Sequence, residues 1–531
     1  MTGTSEQGKP KILVTDPISE EGLKRLREFA EVDIALRLGE GELAEKIRDY
    51  DALIVRSGTQ VTRKIIEAGR KLKVIGRAGV GVDNIDVEAA TEYGVLVINA
   101  PEANTISAAE HTVALLLSLA RKIPQANKSL KAGEWDRRKY MGVEVRGKTL
   151  GIIGLGRIGA EVARMALGLG MKVVAYDPYV SQERAKELGA SLLPFDEVIR
   201  TADFLTVHVP LTNETYHMIS DREFEMMKDG VRIINTARGG VIDEAALVRA
   251  IKSGKVAGAA IDVFEKEPPR DNELLKLEEV IVTPHLGAST EEAQRSVAVV
   301  IAEEVQRALR GEPVKNAVNL VYVPAEILDA IRPFLTLAER LGKFTAQIIS
   351  GRIESVDISY QGEVATKDTR LIGIAMLKGF LSQFADVNYV NAQLIARKMG
   401  IRVTETKTED AENFSSLIGI TVKTDKVERT VAGTVFGKND LRIVKIDGYR
   451  VDAVPSGYML ICSYIDKPRV IGPVGVILGD HGINIAAMQV GREKIGGRAV
   501  MVLNVDNPVS EDVLEKVKTV DGISDVKLVK L

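Results

Sequence analysis

A β-rich run, Thr149–Leu150–Gly151–Ile152–Ile153, passes directly into Gly154–Leu155–Gly156–Arg157–Ile158–Gly159, and an acid, Asp177, closes the next apolar run, Lys172–Tyr176. Strand, G-x-G-x-x-G, helix, strand and acid, in that order, is the sequence form of a dinucleotide-binding βαβ unit. Gly154 permits the tight turn, Gly156 lets the backbone approach a pyrophosphate, and Gly159 allows the helix to pack closely on the sheet. The first amides of the helix can hold the phosphates. Asp177 is placed to accept hydrogen bonds from the adenine ribose hydroxyls and to repel a 2′-phosphate, and Pro178 rather than an arginine follows it. NAD is therefore expected in preference to NADP. The unit begins only at Thr149, so what lies upstream needs a place in the fold.

Residues 11–100 alternate β-rich runs (Lys11–Thr15, Val32–Ala35, Ala52–Arg56, Val74–Gly76, Val95–Asn99) with segments of helical periodicity such as Glu21–Ala30 and Gly41–Tyr50. That is the pattern of a small parallel α/β domain. A long amphipathic pattern over 105–131 leads to the glycine turn, and further strands are expected at Phe204–Val207, Arg232–Asn235, Val256–Ala260 and Val280–Thr283. A helix from Glu291 to Arg310 follows once both sets of strands are used up. Packed back on the first domain, it makes the cofactor domain an insertion. The expected fold is α/β, with two Rossmann-like doubly wound lobes: a substrate lobe (1–101 and 291–319) and an NAD-binding domain (102–290). A helical stretch over 321–350 and the β-like runs Ser355–Tyr360, Thr430–Phe436, Arg442–Ile446 and Tyr449–Val454 read as an α+β domain over 320–455. Residues 458–531 run β-α-β-β-α-β, the ferredoxin-like order, in a last domain over 456–531.

With 531 residues the chain exceeds a single core, which suits several domains. Its net charge of -3, with both signs interspersed, carries no footprint for nucleic acid. The single cysteine, Cys462, excludes an intramolecular disulfide; beside Tyr458–Ile461 it reads as a core residue. A reducing compartment, the cytoplasm, is expected. Met1 to Lys11 is polar and lacks the apolar centre of a signal peptide. The run Ala108–Leu119 is too short to span a bilayer. No metal site and no membrane partner are expected.

Three segments follow strands of the cofactor sheet: Asn235–Glu244, Asp262–Pro268 and Thr283–Ala288. They supply Arg238, Glu267 and His285, a complete set for oxidising a 2-hydroxy acid. Arg238 can grip a carboxylate bidentately. His285 can take the hydroxyl proton. Glu267 can hold the imidazole in one tautomer and favour its protonated form. Taken singly, such an arginine is more often a surface residue and such a glutamate a solvated loop; convergence at matching strand ends favours catalysis. His208, in Val207–His208–Val209–Pro210, and His217 compete for the base role, and His208 reads as structural. His111, in an apolar helix, reads as structural or interfacial. In the first domain, Arg56–Ser57 ends one strand, and the glycine-rich loop Arg77–Ala78–Gly79–Val80–Gly81–Val82–Asp83–Asn84 ends another, offering free amides to a substrate carboxylate. For a phosphate the candidates are Arg56 and the basic stretch Arg137–Arg138–Lys139, which also reads as solvated surface. In the tail, Gly433–Lys438 with Arg442 can form an anion site.

The glycine turn and the three segments together resemble the D-2-hydroxyacid dehydrogenase family, and the tail resembles that of its long members, so the likeness covers essentially the whole chain. The resemblance implies NAD-dependent oxidation of D-3-phosphoglycerate to 3-phosphohydroxypyruvate, the first step of serine synthesis, by a homo-oligomer expected to be a homotetramer. It carries over Arg238 and Glu267 as active-site residues and His285 as the proton donor and acceptor. It implies cofactor contacts from Val80, Arg157, Ile158, Asp177, Val209, Thr236, Ala237, Arg238, Asp262, His285, Leu286, Gly287 and Ala288. Substrate contacts are implied for Gly79 and for Asn104, which opens the hinge-like segment Asn104–Glu110. Ser463–Pro468 and Gly479–Ile485 are similar to two segments of an ACT regulatory domain, which implies an effector, L-serine, near Tyr464, Asp466 and Asn484. Arg469 stands where glycine commonly follows the proline. Two alternatives stay open: another 2-hydroxyacid dehydrogenase, such as a glyoxylate or hydroxypyruvate reductase, and an NAD-sensing binding protein without useful turnover.

Overall fold

A computed structural model describes residues 8–531; positions 1–7, most of the polar N-terminal stretch, lie outside the described residues. The first sheet contains β1 (Lys11–Val14), β2 (Glu31–Ile34), β3 (Ala52–Val55), β4 (Val74–Arg77) and β5 (Leu96–Ile98), in the order β2-β1-β3-β4-β5. All its pairings are parallel. All four residues of β3 are buried, as expected of a parallel strand covered on both faces.

The second sheet holds β6 (Thr149–Ile153), β7 (Lys172–Tyr176), β8 (Ser191–Leu192), β9 (Phe204–Val207), β10 (Val231–Asn235), β11 (Val256–Ile261) and β12 (Val280–Val282). Its order is β12-β11-β10-β9-β6-β7-β8. The chain winds outward from β6 to β8 and then returns to β9 on the other side of β6. That reversal falls between β6 and β9, and it is beyond the carboxyl ends of the strands at such a point that open α/β sheets hold their ligands.

Helix Glu291–Leu309 brings the chain back to the first core. Its Val297, Ile301, Ala302 and Val305 pack with Ile12, Val14, Ile54 and Val74. Two glycines let it approach closely: a Cβ at Gly22 would lie 2.6 Å from Cβ of Ala298, and one at Gly76 would lie 2.8 Å from Cγ2 of Ile301.

The amphipathic pattern over 105–131 is two helices, Thr105–Arg121 and Ile123–Lys131, separated by Lys122 in the left-handed conformation. Pro124 is the cause. It has no N–H for the carbonyl of Ala120, four residues back. That carbonyl instead accepts from the amide of Val143 at 2.9 Å.

The third sheet, β14-β13-β15-β16-β17-β18, is built from β13 (Ile353–Gly362), β14 (Arg402–Thr408), β15 (Ser416–Thr424), β16 (Glu428–Phe436), β17 (Asp440–Ile446) and β18 (Tyr449–Ala453). Two of its strands and two helices, Arg370–Leu381 and Ala392–Lys398, were not expected. The edge strand β14 is almost wholly polar, and helix Arg370–Leu381 is apolar on nearly every side. Neither therefore shows the usual period.

The last sheet, β20-β21-β19-β22, consists of β19 (Tyr458–Ile465), β20 (Ile485–Arg492), β21 (Arg498–Val505) and β22 (Ile523–Lys530), all antiparallel. With helices Ile471–Asp480 and Glu511–Lys518 it is ferredoxin-like. Met459, Ile461, Val500, Val502 and Val529 form a common core with Leu337, Leu341 and Phe344 of helix Ala325–Ile348. Cys462 is buried and unpaired in the domain's own core. Among the described residues, no helix is long and apolar enough to cross a membrane.

The close approach at Gly22 is testable. Gly22→Ala forces its helix off Ala298 and is expected to cost about 1–3 kcal/mol. Hydrogen exchange of the Glu20–Phe29 amides measures it; unchanged protection would contradict the contact.

Candidate active site

The glycine turn is crowded on the sheet side and bare on the other. A Cβ at Gly154 would meet the carbonyl oxygen of His208 at 2.6 Å and Cγ1 of Val209 at 2.9 Å; one at Gly159 would meet the carbonyl oxygen of Gly154 at 2.1 Å. At Gly156 nothing lies within 4 Å of that position. Space over Gly156, at the start of helix Arg157–Gly168, fits a dinucleotide pyrophosphate held by the helix amides. Asp177 follows β7, with Oδ2 accepting from the Leu155 amide at 2.8 Å and Oδ1 from the Tyr179 amide at 2.9 Å. The carboxylate is thus fixed beside the turn, and each oxygen keeps acceptor capacity for a ribose hydroxyl. Arg157 and Ile158 open the helix, and Arg157 pairs with Glu102 at 3.5 Å.

Glu267 follows β11 and His285 follows β12. Nδ1 of His285 lies 2.9 Å from Oε2 and 3.1 Å from Oε1 of Glu267. A carboxylate only accepts, so Nδ1 carries the proton; Nε2, without a partner among the described residues, is left to face a ligand. Burial raises the Glu267 acid, but the hydrogen bond and charge of His285 outweigh it and hold the carboxyl below its ordinary value. His285 sits at φ 55°, an uncommon conformation for a non-glycine residue. The turn is held from behind by Asp262, whose side chain is fully buried. Asp262 accepts from Oγ1 of Thr283 (2.6 Å), the Leu286 amide (2.7 Å) and the Gly287 amide (3.0 Å), and lies 3.2 Å from Nε2 of His111. Asp262, expected among the cofactor contacts, makes these hydrogen bonds within the turn and to His111.

Arg238 is carried by a turn that Asn235 builds, its Oδ1 accepting from the Ala237 amide at 3.0 Å and its Nδ2 donating to the Arg238 carbonyl at 2.9 Å. Thr236 in the same turn meets Thr112, Oγ1 to Oγ1, at 2.7 Å. Arg238 reaches across to the first lobe, where its Nε donates to Oδ2 of Asp83 at 3.1 Å.

Arg77, at the end of β4, was not singled out from sequence. Its guanidinium lies against Gly79, where a Cβ would fall 1.5 Å from Nη1, and its buried Nε has no partner. Burial, then the charges of Arg238 and Arg56, push its pKa down to about 10, with Asp83 and Asp16 partly compensating. Arg56, Arg77 and Arg238 are thus close enough for their charges to oppose one another, with Asp83 and Asp16 among them. The only hint in the sequence was a charge ending the otherwise apolar strand Val74–Arg77. The Gly79 amide is not free as expected, since it donates to the Arg77 carbonyl at 2.8 Å. The amides of Val80, Gly81 and Val82 have no acceptor among the described residues. Asn104 is buried at the start of helix Thr105–Arg121, with its Oδ1 unpartnered, and Ser57 is exposed just beyond Arg56.

Other expected site residues are not brought together. Residues 137–139 are exposed, and the segment containing them joins the far end of helix Thr105–Arg121, where Nζ of Lys122 donates to the Lys139 carbonyl. Within one chain Arg137 therefore lies apart from the arginine cluster. Arg442 is neutralised by Asp440 and Asp452 and makes no anion site. In the last sheet β19 and β20 both run antiparallel to β21, with Ile465 level with Arg498 and Ile485 level with Val505. Asp466 and Asn484 thus sit at opposite ends, roughly 20 Å apart at the rise of a strand. Each is already paired, Asp466 with Arg492 at 3.1 Å and Asn484 with Asp506 at 2.7 Å, while the buried Tyr464 hydroxyl has no partner. His217 pairs with Glu265 at 2.9 Å rather than with Glu267. His208 contacts Oγ1 of Thr206 at 3.0 Å, and burial pushes its imidazole down to about 4.

An NAD turn beside an imidazole–carboxylate pair and an arginine cluster defines an NAD-dependent oxidoreductase, and residues 113–287 match the model of the D-isomer specific 2-hydroxyacid dehydrogenase NAD binding domain. Residues 330–447 match the D-3-phosphoglycerate dehydrogenase intervening domain, and 458–522 the ACT domain. The chain is 50% identical over 524 residues to the D-3-phosphoglycerate dehydrogenase of Methanocaldococcus jannaschii, covering 98% of this chain and 100% of the relative. It is 44% identical to that of Bacillus subtilis, covering 98% and 99%. A D-lactate dehydrogenase from Aquifex aeolicus, solved with NAD and lactic acid, aligns over 57% of this chain and 96% of its own at 32% identity and a TM-score of 0.51. The chain belongs to the D-3-phosphoglycerate dehydrogenase family.

The two histidines differ testably. A group at about 4 is neutral from pH 5 upward and has no proton to exchange there. His208→Asn is expected to leave the midpoint of kcat/KM between pH 5 and 9 in place. His285→Asn is expected to lower turnover roughly 10²–10⁴-fold. A midpoint that moves with His208 would reverse the assignment.

Proposed function

We propose that this chain oxidises D-3-phosphoglycerate to 3-phosphohydroxypyruvate with NAD. The observation that carries this is the Glu267–His285 pair at 2.9 Å on the same sheet rim as the turn of Arg238, whose guanidinium reaches Asp83 in the first lobe near Arg77 and Arg56. A substrate bearing both a carboxylate and a phosphate supplies the charge such a cluster needs. Arg238 and the amides of Val80 to Val82 take the carboxylate, and Arg56 and Arg77 take the phosphate. Nε2 of His285 accepts the proton of the C2 hydroxyl as C2 becomes a carbonyl. Glu267 stabilises the imidazolium that forms. Asn104 orients the substrate through its unpartnered carbonyl oxygen. NAD, held at the glycine turn and Asp177, would supply the acceptor for the hydride that leaves C2. Asp177 selects NAD, and residues around Val209, Thr236, Ala237 and Leu286 to Ala288 line the cofactor crevice.

The same reading takes 1–101 with 291–319 as substrate lobe, 102–290 as cofactor domain, 320–455 as intervening domain and 456–531 as ACT domain. Packing of helix Glu291–Leu309 in the first core and the ranges of the family matches support it. L-serine is the proposed effector of the last domain. Because Asp466 and Asn484 lie far apart in one chain, an amino acid touching both must bridge two copies. That supports a homo-oligomer, here proposed as a tetramer in the cytoplasm.

The test is NADH formation from D-3-phosphoglycerate, compared with an unphosphorylated 2-hydroxy acid such as D-glycerate. A higher kcat/KM for the unphosphorylated substrate would favour the general 2-hydroxyacid reading. Arg77→Ala is expected to raise KM for the phosphorylated substrate about 10- to 100-fold, the worth of a charged hydrogen bond, and KM for the other far less. An equal effect on both refutes the phosphate role.

A further inference from the structure

We infer that His111 is a positioning residue for this reaction: from the helix between the two lobes it braces, through Thr283 and Asp262, the turn that carries His285. The inference rests on the proposed role of His285.

Helix Thr105–Arg121 presents three neighbouring polar side chains to three loops of the cofactor lobe. Oγ of Ser107 lies 2.7 Å from Oγ1 of Thr290, and Oγ1 of Thr112 lies 2.7 Å from Oγ1 of Thr236, next to Arg238. Between them, Nε2 of His111 lies 3.2 Å from Oγ1 of Thr283 and 3.2 Å from Oδ1 of Asp262. Positions 107, 111 and 112 fall on one side of a helix, and the loops they meet include both turns of the proposed chemistry.

Proton bookkeeping sets the tautomer. Thr283 has one hydroxyl proton, and the 2.6 Å contact gives it to Asp262. Its oxygen can then only accept, and so can the carboxylate. Nε2 of His111 must therefore carry a hydrogen and donate to this pair.

The bond matters because the Asp262 side chain has no exposed surface. A buried carboxylate needs its donors. Two of them are the amides of Leu286 and Gly287, immediately after His285, at 2.7 and 3.0 Å. The main-chain carbonyl of Asp262 also accepts from the His285 amide at 2.9 Å. Among the described residues His111 is the one donor to this carboxylate that comes from outside the turn and its strand, so it ties the helix to the place where Nε2 of His285 must point.

The experiment compares wild type with His111→Ala, His111→Gln and His111→Asn in the full-length chain. Gln can place its amide nitrogen near the position of Nε2; Asn falls short. The Ala and Asn variants are expected to lose about 10- to 100-fold in kcat, the cost of a small misplacement, with KM for NAD nearly unchanged, and Gln to recover most of it. In parallel, the amides of Leu286 and Gly287 should exchange faster in the Ala and Asn variants than in the Gln variant. Exchange reads the brace without turnover, so a wild type inactive on D-3-phosphoglycerate would sink the proposed function and leave this measurement standing. If the Ala variant does not fold, the Asn and Gln pair decides. Equal kcat and equal protection of those amides in Asn and Gln would overturn the inference.

Discussion

In a parallel sheet every strand ends on the same side, and whatever polar residues follow the strands gather there. This constraint organises the molecule. Glu267 follows β11, His285 follows β12, Arg238 follows β10 and the glycine turn follows β6. They are scattered over more than a hundred positions, yet they share one rim because their strands are parallel and in register. The first sheet obeys the same rule and sends Arg56 and Arg77 to its own rim. The contact of Arg238 with Asp83 joins one rim to the other.

Burial makes that rim specific. Arg77 is held where its charge is disfavoured, beside two other guanidinium groups. Asp262 is a carboxylate with no exposed surface, satisfied by a turn and a helix. The one is crowded by like charge, and the other gathers the backbone amides that follow His285. Both are costly away from their partners, which suits residues retained for what they position.

Much of this was legible in the sequence. Period and turn residues marked every strand of the two parallel lobes except the two-residue β8, and Gly154, Asp177, Glu267 and His285 stand at the strand ends where motif and spacing put them. The misses have physical causes. Lys122 breaks a helix because Pro124, two residues on, withholds an amide, an effect that hydrophobic periodicity does not register. Helix Arg370–Leu381 is buried nearly all round and shows no stripe. Arg442 resembled an anion ligand until Asp440 and Asp452 were seen to neutralise it.

By itself the sequence determined the local chemistry: a cofactor turn, an arginine–glutamate–histidine set, the order of strands, and a ferredoxin-like tail. These are consequences of side-chain type and short-range spacing. Only the tertiary structure decided which charges meet. It brought Arg77 beside Arg238 and Arg56, placed His111 on Asp262, set Arg137 apart from the cleft, and left Asp466 and Asn484 at opposite ends of one sheet. The reason is that electrostatic energy depends on distance and burial, and neither is a function of separation along the chain.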